Sequence, residues 1–76
     1  MYGRGTSDTK GNLAAMLVAM AALKRSGVKL AGTVTGGVLC DEEDQMLGVQ
    51  DFIERGHADN ITAAVICEPQ DGLVCI

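Results

Sequence analysis

The sequence contains very few aromatic residues: Tyr2 and Phe52 are the only two, and there is no tryptophan. Proteins that bind single-stranded nucleic acids usually stack aromatic side chains on the bases, so this class of partner is poorly supported. The charge agrees, because ten acidic residues outnumber six basic ones and give a net charge of −4. Nucleic-acid-binding surfaces are basic, and we therefore expect no nucleic-acid partner.

Cysteines are also few, and their spacing forms no motif. Cys40, Cys67 and Cys75 make an odd number without a Cys-x-x-Cys pair. This pattern argues against a disulfide framework and favours buried thiols in a reducing, cytoplasmic setting. The longest apolar run, residues 13–23, is shorter than the roughly 20 residues that span a bilayer, and no basic segment precedes it. We expect neither a membrane partner nor a signal peptide.

The hydrophobic pattern predicts alternating helices and strands. The first helix is rich in Ala, Leu and Met, ends at Ser26-Gly27, and is apolar on nearly all faces, so we expect it to be packed on both sides. Strand, helix and strand in succession predict an α/β fold with parallel βαβ pairing. The predicted order is helix, strand, helix, strand and strand, over residues 13–25, 32–40, 46–55, 61–67 and 73–76.

A Gly-rich loop, MYGRGTSDTKGN, precedes the first helix. Its glycines allow the backbone to approach a bound group closely, and Ser7 or Asn12 is expected to cap the helix. A phosphate-binding loop would need Gly-Lys followed by Ser or Thr, whereas the order here is Lys10-Gly11-Asn12. A small nucleotide-binding module is therefore a weak alternative.

Acidic residues follow the apolar or Gly-rich segments: Asp8, the pair Glu42 and Glu43, and Glu68. Because the carboxyl ends of parallel strands meet at one edge of an open α/β sheet, we expect these side chains to converge there. Carboxylates that converge repel one another, and a divalent metal is the usual reason to collect them. The plainer interpretation makes Asp8 a helix-capping acid and residues 41–44 the solvated start of the next helix.

Neighbouring residues in an extended segment point to opposite sides. One of Glu42 and Glu43 can therefore hold a metal while the other takes a proton from a water molecule, which is the division of roles in metal-assisted hydrolysis. His57 follows Gly56 at a predicted helix end, where a solvated histidine is ordinary. Cys40 and Cys67 are better explained as small packing residues than as zinc ligands.

Three motifs occur in a fixed order, GRGTSDTKG, DEED and ICEPQ. In this order the chain resembles the zinc-dependent amidohydrolase and peptidase family of acetylornithine deacetylase, succinyl-diaminopimelate desuccinylase, aminoacylase and glutamate carboxypeptidase. The resemblance implies part of a three-layer α/β/α catalytic domain. It also implies a hydrolase that cleaves the amide bond of N-acyl amino acids or small peptides, using two zinc ions, with cobalt or manganese as substitutes.

Residue by residue, the resemblance implies that Asp8 bridges the two zinc ions. Glu43 would ligate one zinc, Glu68 the other, and Glu42 would be the general base that acts on the bridging water. The peptide bond after the bridging aspartate is often cis in such families, which makes Asp8-Thr9 a candidate. Thr9 stands where the family more often has methionine.

The chain begins in a loop and ends in a predicted strand, so we expect residues 1–76 to be a fragment of a single catalytic domain. The resemblance also implies two histidine ligands, which His57 does not match, and a smaller lid or dimerisation domain that is absent here and would mediate a homodimer. We therefore expect weak or no zinc binding and little or no hydrolysis by this chain alone. The alternative is a non-catalytic α/β scaffold or interaction module derived from the same fold.

Overall fold

A computed structural model describes residues 2–69 of the chain. Its regular elements are a turn with π-type hydrogen bonding, Thr6–Gly11, followed directly by helix α1, Asn12–Ser26, and later by helix α2, Leu47–Glu54. The turn packs against α1. The predicted segment over residues 73–76 lies outside the described residues.

Helix α1 confirms the first predicted helix and is one residue longer at each end. It ends at Gly27, whose φ of 69° is in the left-handed region that glycine adopts without steric cost. Lys24 and Arg25 lie in its last turn, where cations complement the helix dipole. These features are all local in sequence, which is why composition alone predicted them.

The expectation that α1 is packed on both sides is wrong for the described part of the chain. Leu17 is 54% exposed and Val18 is 69% exposed. The apolar residues of a helix show which of its faces is suited to burial. Burial itself requires a second element that packs against that face. Among residues 2–69 the turn before α1 is the only regular element in substantial contact with it.

Helix α2 confirms the second predicted helix and is one residue shorter at each end. Met46 precedes it in a left-handed conformation with φ 57°, and Gly56 follows it with φ 75°. The helix is amphipathic, with Phe52 half-buried and Ile53 exposed. Two left-handed residues therefore bracket a helix of little more than two turns.

The predicted α/β fold is wrong for residues 2–69, which contain two helices and no strand or sheet. Residues 32–40 and 61–67 are irregular, and no backbone hydrogen bond joins them within the described segment. Val38 is 66% exposed and Val65 is 88% exposed. β-Branched composition favours a pleated, half-buried surface, but a strand exists only where a neighbouring strand completes its hydrogen bonds. The expected parallel βαβ pairing is therefore not formed.

No side chain among residues 2–69 is fully buried. Neither helix in this part of the chain has the length and apolarity needed to cross a membrane. The relative placement of the acidic residues consequently depends on individual hydrogen bonds and close backbone contacts, which are described next.

Candidate functional site

Asp8 is presented by the turn that leads into α1. The turn begins after Gly5, which has φ 76°, and the Lys10 N–H donates a 2.8 Å hydrogen bond to the Gly5 carbonyl. Asp8 itself departs from helical geometry, with φ −114° and ψ 99°, and its side chain is exposed. The Asp8-Thr9 peptide bond is cis, as the family resemblance implied. The turn thus directs the Asp8 carboxylate outward instead of capping α1 with it.

Gly11 closes this turn by a backbone contact that excludes a side chain. A β-carbon at position 11 would lie 2.6 Å from the carbonyl oxygen of Thr6. Non-bonded carbon and oxygen atoms do not approach this closely without displacement of the backbone. The glycine is therefore required by the shape of the turn.

The acidic segment DEED forms a turn before α2, and no acidic residue lies in the first turn of that helix. The interpretation of these acids as a helix start is therefore wrong. Asp41 organises the turn: its carbonyl accepts a 2.7 Å hydrogen bond from the Met46 N–H, and its carboxylate Oδ2 accepts bonds of 3.3 Å from the Gln45 and Leu47 N–H groups. Aspartate also tolerates the left-handed φ of 63° found at this position.

Glu42 and Glu43 are exposed, and the hydrogen bonds that organise the turn are accepted by Asp41 and not by their side chains. Their side chains are not needed for the local fold. They are therefore available to interact with other groups, as a ligand and a base must be.

Glu68 is joined to the Asp8 turn through the residue that precedes it. The carbonyl of Cys67 accepts hydrogen bonds from the Thr9 hydroxyl and from the Asn12 side-chain amide, both of 3.0 Å. Cys67 is half-buried, whereas Glu68 is exposed. The segment that carries Glu68 thus lies against the turn that carries Asp8.

The structure brings the predicted acidic residues together around Glu43. A hydrogen bond with the Asp8 side chain is the largest cause that raises the pKa of Glu43 above its ordinary value. The negative charges of Glu42, Asp8 and Glu68 raise that pKa further, because like charges disfavour ionisation. Three segments that are distant in sequence therefore contribute carboxylates to one region.

These carboxylates lie in one region, but they are not close enough together to form a binding site for a single metal ion. Among residues 2–69, no three His, Cys, Asp or Glu side chains lie close enough together to hold a metal ion. Glu42 and Glu68 act on Glu43 through charge, which extends further than a coordination bond, and Asp8 acts on it through direct contact. Asp8 and Glu43 are thus the two acidic residues of this region whose side chains are in direct contact.

The donor chemistry of the pair fits a divalent cation. Carboxylate oxygens suit hard or borderline metals, and a cation would remove the repulsion that raises the pKa of Glu43. Within the described residues the only ion pair joins Arg55 to Asp51 at 2.8 Å, so no basic side chain there pairs with Asp8 or Glu43. The residues present therefore fit part of a metal site.

His57 lies apart from this region. Its ring centroid is 5.2 Å from that of Phe52, and its N–H donates a 3.1 Å hydrogen bond to the Phe52 carbonyl at the end of α2. Its place at a helix end, packed on an aromatic ring, agrees with the structural interpretation of this histidine. Cys40 and Cys67 were both predicted to be small buried packing residues. Cys67 is half-buried, but Cys40 is exposed, so the prediction is wrong for Cys40; both thiols are free.

Glu68 also borders a cleft of about 350 Å³ along α1. Asn12, Met16 and Cys67 contribute to its walls. A larger cleft of about 430 Å³, between α1 and residues 28–34, has none of the four predicted acidic residues in its lining. The carboxylate region is therefore open at the surface rather than enclosed.

Comparison with known proteins decides the relationship of the chain. The profile of peptidase family M20/M25/M40 matches residues 1–74, and so includes Asp8, the Glu42-Glu43 pair and Glu68. The chain belongs to this peptidase family. The resemblance stated from the three motifs is thereby confirmed.

Individual members of the M20/M25/M40 family support the same relationship. A probable succinyl-diaminopimelate desuccinylase of Staphylococcus epidermidis is 36% identical over 73 residues, which are 96% of this chain and 18% of that protein. The corresponding protein of Staphylococcus aureus strain MRSA252 is 33% identical over 69 residues, 91% of this chain and 17% of its own. A [LysW]-lysine/[LysW]-ornithine hydrolase of Saccharolobus solfataricus is 34% identical over 71 residues, 93% of this chain and 19% of its own.

The chain thus spans less than a fifth of the length of the family members it matches. No solved structure matches it significantly. The family relationship therefore concerns one segment of those longer proteins.

Sequence reasoning missed Thr9 and Asn12 as parts of this region. Ser7 or Asn12 was expected to cap α1, but α1 has no side-chain cap, and the Asn12 amide reaches Cys67. The family resemblance concerned Thr9 only through the cis peptide bond after Asp8 and through the methionine more common at this position. The available signal was their position: both lie within four residues of Asp8, Thr9 in the same turn and Asn12 at the start of α1.

Proposed function

We propose that this chain supplies carboxylate ligands and the general base to a metal-dependent hydrolase that cleaves the amide bond of N-acyl amino acids or small peptides. The observation that carries the proposal is the contact between Asp8 and Glu43, with Glu42 and Glu68 near enough to raise the pKa of Glu43. Membership of the peptidase family gives this contact its chemical context.

In the proposed site Asp8, Glu43 and Glu68 would hold zinc, with Asp8 shared between two ions, and cobalt or manganese would suit the same oxygens. The bound metal would supply Lewis acidity and lower the pKa of a water molecule. Glu42 would take a proton from that water on a carboxylate oxygen and return it to the amine that leaves when the amide bond breaks. Its exposed side chain, free of any role in the local turn, suits this function.

The substrate class is proposed from the relatives' names. One relative is named a probable succinyl-diaminopimelate desuccinylase and another a [LysW]-lysine/[LysW]-ornithine hydrolase, and both names refer to derivatives of amino acids. We propose a small N-acyl amino acid or peptide as substrate. The free thiols of Cys40 and Cys67 favour a reducing compartment, and we propose a cytoplasmic setting.

The proposal is tested by transferring the segment into a complete relative. Residues 2–69 would replace the matching segment of the Staphylococcus epidermidis desuccinylase, and desuccinylation would be measured. We expect an active chimera, and we expect Glu42→Gln to lower kcat by about 10²–10⁴-fold because a general base contributes that much. Glu54→Gln, an exposed acid at the end of α2, is the matched control and should retain activity.

A chimera that folds, binds zinc and loses no activity with Glu42→Gln would contradict the proposed base. A second candidate function, association with another protein through α1, is favoured by the exposure of Leu17 and Val18. It predicts that Glu42→Gln and Glu43→Gln leave partner binding unchanged, whereas Val18→Asp abolishes it.

A further inference from the structure

Two side chains, one in the Asp8 turn and one at the start of α1, converge on one carbonyl from a remote part of the chain. Thr9 Oγ1 and Asn12 Nδ2 each donate a 3.0 Å hydrogen bond to the Cys67 carbonyl oxygen, across 58 and 55 residues of sequence. Apart from the hydrogen bond between the Asp8 and Glu43 carboxyl groups, every other side-chain hydrogen bond in residues 2–69 joins positions within six residues of each other. This pair of bonds, which we call the Cys67 tether, is therefore one of the few long-range polar links of the described structure.

The tether has the geometry that a carbonyl requires. A carbonyl oxygen has two lone pairs and can accept both hydrogen bonds at once. Thr9, Asn12 and Cys67 are half-buried, which protects the bonds from competition with water, whereas Asp8 and Glu68 on either side of them are exposed. The link is thus placed immediately behind two outward-facing carboxylates.

The side chain of Asn12 is used outside α1. A capping asparagine occupies the N-cap position and accepts a backbone N–H through its side-chain oxygen, whereas the N-cap of α1 is Gly11. Here α1 has no side-chain cap, and the amide of its first residue is directed to Cys67. The Asn12 amide therefore connects the start of α1 to the segment that carries Glu68.

We propose that Thr9 and Asn12 are positioning residues that hold Glu68 beside Asp8 and Glu43. This inference rests on the proposed metal-dependent function. Thr9 directly follows Asp8, and Cys67 directly precedes Glu68, so each bond fixes a backbone unit adjacent to a proposed ligand. Residues 61–67 have no strand partner among the described residues, so no hydrogen-bonded ladder sets the position of Glu68.

The variants that test the tether remove its donors with little change of shape. Thr9→Val replaces the hydroxyl by a methyl group, and Asn12→Leu replaces the amide by an apolar group of similar size. Thr9→Ser keeps the hydroxyl and should restore what Thr9→Val loses. Thr6→Val is the matched control, because Thr6 Oγ1 donates a 2.9 Å hydrogen bond to the Gly3 carbonyl within the same loop.

Two measurements on the full isotope-labelled chain separate the tether from the metal site. Nuclear Overhauser contacts between residues 9–12 and 67–68 report the tether without metal. Broadening of the Asp8, Glu43 and Glu68 carboxylate signals by Mn²⁺ reports cation binding even at fractional occupancy. We expect Thr9→Val/Asn12→Leu to lose the contacts and to need about 10-fold or more Mn²⁺ to broaden Glu68, while Asp8 and Glu43 respond as before.

The outcomes are distinguishable. Retained contacts in the double variant, or an unchanged Glu68 response despite lost contacts, would overturn the positioning role. Equal losses in Thr6→Val would also overturn it, because they would show a general loosening of the loop. No Mn²⁺ response at any carboxylate of the unmodified chain would instead reject cation binding by residues 2–69 alone, and the contacts between residues 9–12 and 67–68 would still decide whether the tether exists.

Discussion

The Gly48 N–H donates a 3.2 Å hydrogen bond to the carbonyl of Cys40 and so joins α2 to the residue before the acidic turn. A β-carbon at position 48 would lie 2.6 Å from both the nitrogen and the oxygen of Cys40. The contact is between backbones and cannot be relieved by rotating a side chain. Gly48 thus lets α2 support the turn that presents Glu42 and Glu43.

Replacement of Gly48 by alanine is predicted to loosen this turn. Alanine normally favours a helix over glycine by about 1 kcal/mol, but forcing atoms into a packed contact costs about 1–3 kcal/mol. We expect the clash to prevail, and the helical Cα chemical shifts of α2 and the amide signals of residues 40–45 to change. Gly37→Ala is the control, because a β-carbon there has nothing within 4 Å. Unchanged spectra for Gly48→Ala would disprove the close contact.

Removal of the Asp41 carboxylate is predicted to unravel the start of α2. Its Oδ2 accepts hydrogen bonds from the Gln45 and Leu47 N–H groups, and side-chain acceptors of this kind contribute about 0.5–2 kcal/mol. Asp41→Ala should therefore accelerate hydrogen exchange at positions 45 and 47. Asp41→Asn keeps an acceptor and a tolerance for left-handed φ, so it should behave like the native chain.

Asp44→Ala is the matched control, since Asp44 is an exposed acid of the same turn whose side chain makes no hydrogen bond within the described residues. Equal acceleration of exchange in Asp41→Ala and Asp44→Ala would attribute the effect to charge rather than to the hydrogen bonds.

The pKa of Glu43 is predicted to fall when Asp8 is changed to asparagine. The hydrogen bond with Asp8 is the largest cause of the raised pKa, and the negative charge of Asp8 adds to it. A raised acid pKa contributes stability to the folded chain below the unfolded-state value, about 4.3, and that contribution is lost as the pH rises through the folded-state value. A carboxyl titration followed by NMR measures the shift directly.

Glu54→Gln provides the control for this titration and should leave the pKa of Glu43 in place, since Glu54 is not among the groups that raise it. If Asp8→Asn left the Glu43 titration unchanged, the contact between the two carboxyl groups would be refuted.

Zinc binding by the chain alone is predicted to be weak. Asp8, Glu43 and Glu68 supply only oxygen ligands, and catalytic zinc sites usually include imidazole. By calorimetry we expect affinity far below the roughly 10–16 kcal/mol of zinc-finger peptides, and a further loss in Glu43→Gln. His57→Gln should have no effect, because His57 packs against Phe52. Tight zinc binding by the unmodified chain would contradict this prediction.

The helices illustrate what local chemistry makes predictable. The Ala-rich, Leu-rich and Met-rich composition of α1 and the left-handed glycines at positions 27 and 56 act within a few residues of the structure that they determine. The predicted strands could not be decided from local chemistry. Residues 32–40 and 61–67 carry β-branched side chains, but a strand also needs hydrogen-bond partners on a neighbouring strand. Residues 2–69 do not supply these partners.

The amino-acid sequence by itself determined the two helices, the family, and the identity of the acidic residues. Helix propensity and the order of motifs can be read from residues that are close together in the sequence. Only the tertiary structure decided that Glu43 contacts Asp8, that Asp41 serves the turn and is not a member of the acidic region, and that Asn12 reaches Cys67 and does not cap α1. Each of these depends on which donor and acceptor meet in space. A carboxylate or an amide is equally able to bind a neighbour or a distant segment, and the path of the backbone selects between them.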